Sequence, residues 1–463
     1  MPGVRYVSTR GKAPELGFAD TLLAGLASDG GLYVPAAWPE LPSGDVLAAC
    51  DSYAATAAAV LTPFVGDEIG AADLAAMCDA ASATFRHEAV VPLVQIGHDQ
   101  WIAELFHGPT LAFKDLALQL VGRMFDHVLS QRGERVTVVG ATSGDTGPAA
   151  IEGVRACDLV DIVILYPQGG PSDVQRRQMT TVDAPNVRAV AIDGTFDDCQ
   201  DLVKAMFNDA EFRERLNLTA VNSINWARVM AQTVYYVTTA RALRGPITAC
   251  VPTGNFGNIF AGWVSQRMGA PIADFIVASN ANDILTRFVN DGDMSMRPVV
   301  ATTSPSMDIQ VSSNFERLLF EINERDGLRT GEQLDWFRRS GRLELPAGVH
   351  QRWIAGRFRA ARFDDAQVAA EIRRVYEATG MLIDPHTATA TAAAHQLAGD
   401  HPVVTMGAAH PAKFPDVVEQ ATGVRPALPE HVADLLDRPE RTETLPNDLA
   451  AVEDYVAATF AGR

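Results

Sequence analysis

Val136-Thr137-Val138-Val139-Gly140-Ala141-Thr142-Ser143-Gly144-Asp145-Thr146-Gly147-Pro148 is the stretch from which the fold can be read. Apolar, β-favouring residues run into a cluster of small and polar ones, the pattern of a strand turning into a helix. The same pattern returns at Ile247–Val251, followed by Pro252-Thr253-Gly254-Asn255-Phe256-Gly257-Asn258. Further β-rich runs occur at Ile162–Tyr166, Val187–Ile192, Phe275–Ala278 and Val403–Met406. Helix-like stretches separate many of them, including Leu116–Leu129, Asp198–Phe207 and Trp226–Leu243. In Leu116–Leu129 the residues Leu116, Leu120, Met124 and Val128 form one stripe for burial. Strand–helix alternation predicts an α/β fold with mostly parallel sheets covered on both faces. Such sheets bind ligands outside the carboxyl ends of their strands, so the two loops are the places to search.

Outward from this centre, Ser28-Asp29-Gly30-Gly31 reads as a turn into a short strand at Leu32-Tyr33-Val34-Pro35, and the Ala-rich span from Val46 to Thr84 has helical spacing. A chain of 463 residues exceeds one economical core. Three parts are expected: a largely helical N-terminal extension (1–95), an α/β region with the first loop (96–240), and another with the second loop (241–463). The span from Met294 to Val349 reads as less regular and Ala388–Ala394 as a helix. The tail from Ala427, with its prolines and acids, is expected to wrap the surface.

The net charge of −19, from 57 acidic and 38 basic residues, argues against nucleic acid or a membrane surface as partner. An anionic small substrate would need a local basic pocket. Five widely spaced cysteines without a CxxC pair read as free thiols, and no metal site is expected. Met1 to Lys12 lacks the apolar core of a signal peptide, and no apolar run reaches membrane-spanning length. The expected location is the cytoplasm. Pattern alone does not separate interface from core, so it assigns no oligomeric state.

Both loops can direct backbone N–H groups at an anion near the positive end of a helix. Neither is a GxxxxGK[ST] P-loop or a GxGxxG fingerprint. Either alone also reads as a tight connection; two together suggest two anionic groups held at once. A third element is Glu104-Leu105-Phe106-His107-Gly108-Pro109-Thr110-Leu111-Ala112-Phe113-Lys114-Asp115. Lys114 stands between an apolar run and a helix start, where desolvation and N–H dipoles favour the neutral amine that Schiff-base chemistry needs. A snorkelling surface lysine is the alternative, and residue physics leaves both open.

The run His107–Asp115 resembles the cofactor-lysine motif of threonine synthases. In the same order, Ala141–Gly147, Ser223-Ile224-Asn225-Trp226-Ala227-Arg228, Pro252–Asn258, Ser306–Arg317 and Ala409-His410-Pro411-Ala412-Lys413-Phe414 resemble that family too. Tyr6–Gly11 and Asp29–Pro35 fit its N-terminal extension, so the likeness covers nearly the whole chain. It implies the tryptophan-synthase-β type of fold, fold type II of pyridoxal-phosphate enzymes, with open twisted sheets in two α/β regions around a cofactor cleft. It implies pyridoxal 5'-phosphate as cofactor and O-phospho-L-homoserine as substrate, converted with water to threonine and phosphate. By resemblance Lys114 carries the cofactor as a Schiff base, Phe113 lies near the ring, and Asp145 lies near the phenolic oxygen. Gly254, Asn255, Phe256, Gly257 and Asn258 would hold the cofactor phosphate. Thr142, Ser143, Gly144 and Thr146 would hold the substrate α-carboxylate.

Arg228, with Asn222 and Ser223, is the candidate for the substrate's phosphate, since a guanidinium matches phosphate oxygens bidentately. A helix-surface charge is the alternative for Arg228. Family members often have Thr where Ala408 stands, which leaves the pyridine nitrogen to another group such as Thr405. Two other readings are a phospho-lyase or dehydratase on the same scaffold and an inactive cofactor-binding scaffold. The N-terminal extension and Phe256 disfavour the dehydratase, and intact Lys114 disfavours the inactive scaffold.

Overall fold

The computed structural model describes residues 3–220 and 223–460. These form two compact units, a larger one of Met1–Gly108 with Ser223–Pro426 and a smaller one of Pro109–Asn222 with Ala427–Arg463. The three sequential parts expected above are replaced by two discontinuous units. The reason lies in the pairing: Gln100–Glu104 joins Val403–Gly407, and Thr442–Pro446 joins Val187–Asp193, so each sheet recruits strands distant in sequence.

The smaller unit holds five parallel strands in the order Thr442–Pro446, Val187–Asp193, Val160–Pro167, Val136–Ala141, Leu218–Thr219. Val160–Pro167 is buried at every position, as a central strand covered on both faces must be. From Val136–Ala141 the chain steps outward twice and later returns to add Leu218–Thr219 on the other side. The direction of winding therefore reverses beside the loop that follows Val136–Ala141, the place where open α/β sheets form their ligand crevice. The tail does not merely wrap the surface. It supplies the edge strand Thr442–Pro446 and the helix Leu449–Phe460, whose Val452 and Val456 pack with Val163, Ile192, Leu202 and Met206.

The larger unit holds six strands in the order Phe358–Arg362, Ile272–Ser279, Ile247–Pro252, Val403–Gly407, Gln100–Glu104, Leu93–Gly97. All neighbours are parallel except the final antiparallel pair. Winding reverses between Ile247–Pro252 and Val403–Gly407, so the 253–258 loop and Ala408 follow the two strands that flank the switch. Before this sheet, Tyr6–Ser8 pairs antiparallel with Tyr33–Pro35, and helices span Phe18–Ala24, Gly44–Ala49, Tyr53–Val65 and Ala71–Ser82.

All seven sequence-predicted strands form, the one read at Leu32–Pro35 as Tyr33–Pro35. The irregular span 294–349 contains helices Phe315–Ile322 and Gly327–Ser340, and Ala388–Ala394 lies in the helix Pro385–Gln396. Among the described residues, no helix is long and apolar enough to cross a membrane, and no group of three His, Cys, Asp or Glu side chains could hold a metal ion.

Candidate active site

In the smaller unit Lys114 opens the helix Lys114–Arg132. The turn before it is built by local bonds. Asp115, fully buried, accepts from Thr110 N–H at 2.8 Å and Thr110 Oγ1 at 2.7 Å, while Gln178 Nε2 donates to the Thr110 carbonyl at 3.0 Å. Leu111 sits at φ +62°, a left-handed conformation costly for a branched side chain. Its side chain offsets that cost by packing with Val174, Val432 and Leu435. The helices Lys114–Arg132 and Thr146–Val154 cross at Gly122, where an added Cβ would stand 2.0 Å from the Gly153 carbonyl oxygen. That close crossing brings two helix starts together.

Lys114 is buried, its Nζ 3.6 Å from Asp145 Oδ2 and 5.2 Å from the centre of the half-buried Phe113 ring. Burial was expected; the pairing with Asp145 was not. Asp145 Oδ1 accepts from Gln175 Nε2 at 2.9 Å. Gln175 is in turn fixed by a capping box, its Oε1 accepting from Ser172 N–H at 3.1 Å and its own N–H donating to Ser172 Oγ at 3.3 Å. Oδ1 of Asp145 thus accepts a hydrogen bond, while Oδ2 faces the lysine across 3.6 Å.

Thr142 Oγ1 accepts from the N–H groups of Gly144 and Gly147 at 3.1 and 3.0 Å and donates to the Gly144 carbonyl at 2.9 Å. Its hydroxyl and the Gly144 N–H thus take part in bonds inside the loop. Ser143 and Thr146 remain half-buried, at the start of a helix whose N-cap, Asp145, makes no side-chain cap.

In the larger unit the 253–258 loop enters the helix Gly257–Met268 through Phe256, at φ +61° and without a side-chain cap. The Phe256 ring is buried against Phe315 and Phe358, at centroid distances of 5.6 and 6.3 Å, so only its backbone is available to a ligand. Asn258 Oδ1 accepts from the hydroxyls of both Tyr235 and Tyr236 at 2.7 Å, which assigns the amide NH2 as its outward donor. Gly254 admits no side chain, since a Cβ would stand 2.6 Å from the Ser306 carbonyl oxygen. Asn255 accepts from Asn314 N–H at 3.0 Å through its carbonyl and from Ser313 Oγ at 3.2 Å through Oδ1.

Arg228 lies in the first turn of the helix Trp226–Ala242 and is buried. Among the described residues its Nε and Nη1 have no hydrogen-bond partner. Burial pushes its pKa down to about 10. It is no surface charge. Ser223 is half-buried at the entry to this helix, and Asn222 lies outside the described residues.

Beyond Val403–Gly407, the Ala408 N–H donates to Thr387 Oγ1 at 2.9 Å. Thr387 donates to the fully buried Asp384, which also accepts from His386 Nδ1 at 2.9 Å, and His386 Nε2 accepts from Ser306 N–H at 3.3 Å. Thr405 is buried within its strand, and the hydroxyl that meets Ala408 is that of Thr387. Sequence reasoning missed Gln175, the Tyr235–Tyr236 pair, Asn314 and the Asp384–Thr387 pair. Two carried a signal: Asn314 in the Ser306–Arg317 likeness, and the last pair in the Asp384-Pro385-His386-Thr387 run.

These residues fit pyridoxal phosphate: a buried amine beside a carboxylate, and an uncapped helix start in the same unit as an unpartnered buried guanidinium. The family model described as "Pyridoxal-phosphate dependent enzyme" matches residues 86–333, and the chain is a pyridoxal-phosphate enzyme of fold type II. Models described as "Threonine synthase N terminus" and "Threonine synthase, C-terminal" match residues 5–82 and 387–456. The threonine synthase of Pseudomonas aeruginosa is 50% identical, with 98% of each chain covered. A crystal structure of PLP-bound threonine synthase from Brucella melitensis is 52% identical, with TM-score 0.96 over 99% of this chain and 100% of that one. The yeast enzyme's crystal structure is 36% identical, with TM-score 0.93 over 99% of each chain. The chain belongs to the threonine synthase family.

Proposed function

We propose that the chain converts O-phospho-L-homoserine and water to L-threonine and phosphate, by loss of phosphate from the γ-carbon and addition of water at the β-carbon. The observation that carries this reading is Arg228. A buried guanidinium with unpartnered N–H groups calls for an anion, and the 254–258 loop independently offers a second anion site. A phosphorylated substrate and a phosphorylated cofactor together supply two such anions.

Pyridoxal phosphate, when bound, supplies the electron sink for breaking bonds at the substrate's α-carbon. Gly254, Asn255, Phe256, Gly257 and Asn258 would hold its phosphate through backbone N–H groups and the Asn258 amide. Lys114 would hold the cofactor at the aldehyde carbon, and the Lys114 Nζ would take the substrate's α-proton. Phe113 would lie near the ring, and Asp145, oriented by Gln175, near its phenolic oxygen. Thr142, Ser143, Gly144 and Thr146 would hold the α-carboxylate, with the Thr142 hydroxyl also bracing the loop from inside. Arg228, Ser223 and Asn222 hold the substrate's phosphate and stabilise its departure. The same reading places the enzyme in the cytoplasm, in keeping with its five free cysteines.

Incubation with O-phosphohomoserine and joint measurement of threonine, phosphate and 2-oxobutanoate tests the reading. Threonine and phosphate should appear in equal amounts. Phosphate with 2-oxobutanoate in place of threonine would make the chain a phospho-lyase.

A further inference from the structure

The motif Ser306–Arg317 shares the family likeness, yet the function above gives it no task. In the larger unit it surrounds the 254–258 loop. The Ser306 carbonyl closes off Gly254, Ser312 Oγ donates to the Gly254 carbonyl at 2.7 Å, and Asn314 N–H donates to the Asn255 carbonyl at 3.0 Å. Asn314 Nδ2 donates to the Ser223 carbonyl at 3.0 Å and would stand 3.2 Å from a Cβ on Gly257. Its Oδ1 accepts from Arg317, which therefore decides which way this amide faces.

Arg317 is itself fully buried. Among the described residues it makes no ion pair. Besides Asn314, its acceptors are the carbonyls of Tyr33, from Nε at 3.1 Å, and Ile224, from Nη2 at 2.6 Å. The Trp226 ring lies 5.7 Å from its guanidinium carbon. Burial lowers its pKa to about 9. The adjacent carboxylate, Glu316, is committed elsewhere: it pairs with Arg10 at 3.0 Å and accepts from Thr9 Oγ1 at 2.6 Å. A cation buried among neutral acceptors is costly to keep unless its charge has a use.

We infer that Arg317 is a positioning residue for the cofactor's phosphate. It sets the Asn314 side-chain amide, which holds Ser223, while the backbone N–H of the same residue holds Asn255. Together they brace the loop so that its N–H groups face the anion, and the buried charge of Arg317 strengthens the field there. The strand Tyr33–Pro35 holds the guanidinium, so the N-terminal extension becomes part of the cofactor site's construction. This inference rests on the reading of 254–258 as the phosphate loop.

The test compares pyridoxal phosphate with pyridoxal, which lacks the phosphate, in titrations of the cofactor-free full chain. Wild type should prefer the phosphorylated form strongly. Arg317→Met should lose at least about tenfold of that preference while binding pyridoxal as before, and Arg317→Lys should recover part of it, keeping charge but not the planar fork. Asn314→Ala, a milder variant, should lower the same preference by a smaller factor. An unchanged preference in Arg317→Met would overturn the inference, as would equal weakening of both ligands in both Arg317→Met and Asn314→Ala. Absence of any preference in wild type would instead overturn the loop assignment, a failure visible before any variant is made.

Discussion

The larger unit buries two guanidinium groups that make no ion pair among the described residues; the smaller unit sets a carboxylate beside its buried lysine. Arg228 and Arg317 are buried, make no ion pair among the described residues, and both have their pKa lowered by burial. Lys114, also buried, faces Asp145, whose other oxygen takes a bond from Gln175. A site that must receive a dianion gains from stored positive potential, because the ligand completes the compensation on arrival. A site that must move a proton gains from a carboxylate that fixes the amine's place and charge. Damage to the larger unit should therefore be felt mainly in affinity, and damage to the smaller mainly in turnover.

The strongest break in this comparison is Lys114→Ala. It removes the amine itself, so threonine formation under saturating substrate should fall at least about 10³-fold. Retention of substantial turnover would take Lys114 out of the chemistry altogether. Next comes Arg228→Met, which should lower kcat/KM for O-phosphohomoserine roughly 10–100-fold, mostly through KM. A loss confined to kcat would place Arg228 with the reacting groups and dissolve the division between units. Smaller again is Gln175→Leu, which frees Asp145 on one side: kcat should drop about tenfold with KM nearly unchanged. Ser172→Ala sharpens that result. It removes the hydroxyl of the capping box and costs about 1 kcal/mol of stability, yet leaves the Gln175–Asp145 bond and hence kcat intact.

The strands and both loops were legible because short apolar runs ending in small residues have few other readings. Lys114 was legible only through the resemblance, since the carboxylate that pairs with it comes from a loop 31 positions further along the chain. Gln175 was invisible because a glutamine in the polar helix Asp173–Thr180 looks like a solvated face until the sheet brings it to Asp145. Arg317 was legible only as part of the Ser306–Arg317 likeness and not in its task, because the carbonyls that hold it, of Tyr33 and Ile224, come from distant parts of the chain. The edge strand Thr442–Pro446 is almost wholly exposed, so it shows no apolar alternation, and its pairing with Val187–Asp193 defines it. Local pattern reports what is buried against its own neighbours. Partners brought in by topology leave no periodic trace.

The smallest expected effect concerns charge balance within the smaller unit away from Lys114. Glu152, on the helix Thr146–Val154, has its pKa pushed from 4.5 up to about 7 by burial, with Arg155 at 3.2 Å offsetting only part of that cost. A raised folded-state value means the native chain binds more protons than the unfolded one between those limits, so this group lowers stability as pH climbs through them. Glu152→Gln removes the titration. Its gain should be near zero at pH 4, where both states of the wild type are protonated, and on the order of 1 kcal/mol at pH 8. The half-exposed Arg155 contact gives back little when it is lost. Urea midpoints at the two pH values decide the matter. Equal gains at both would assign the effect to packing, and the smaller unit's charge balance would then be limited to the surroundings of Lys114.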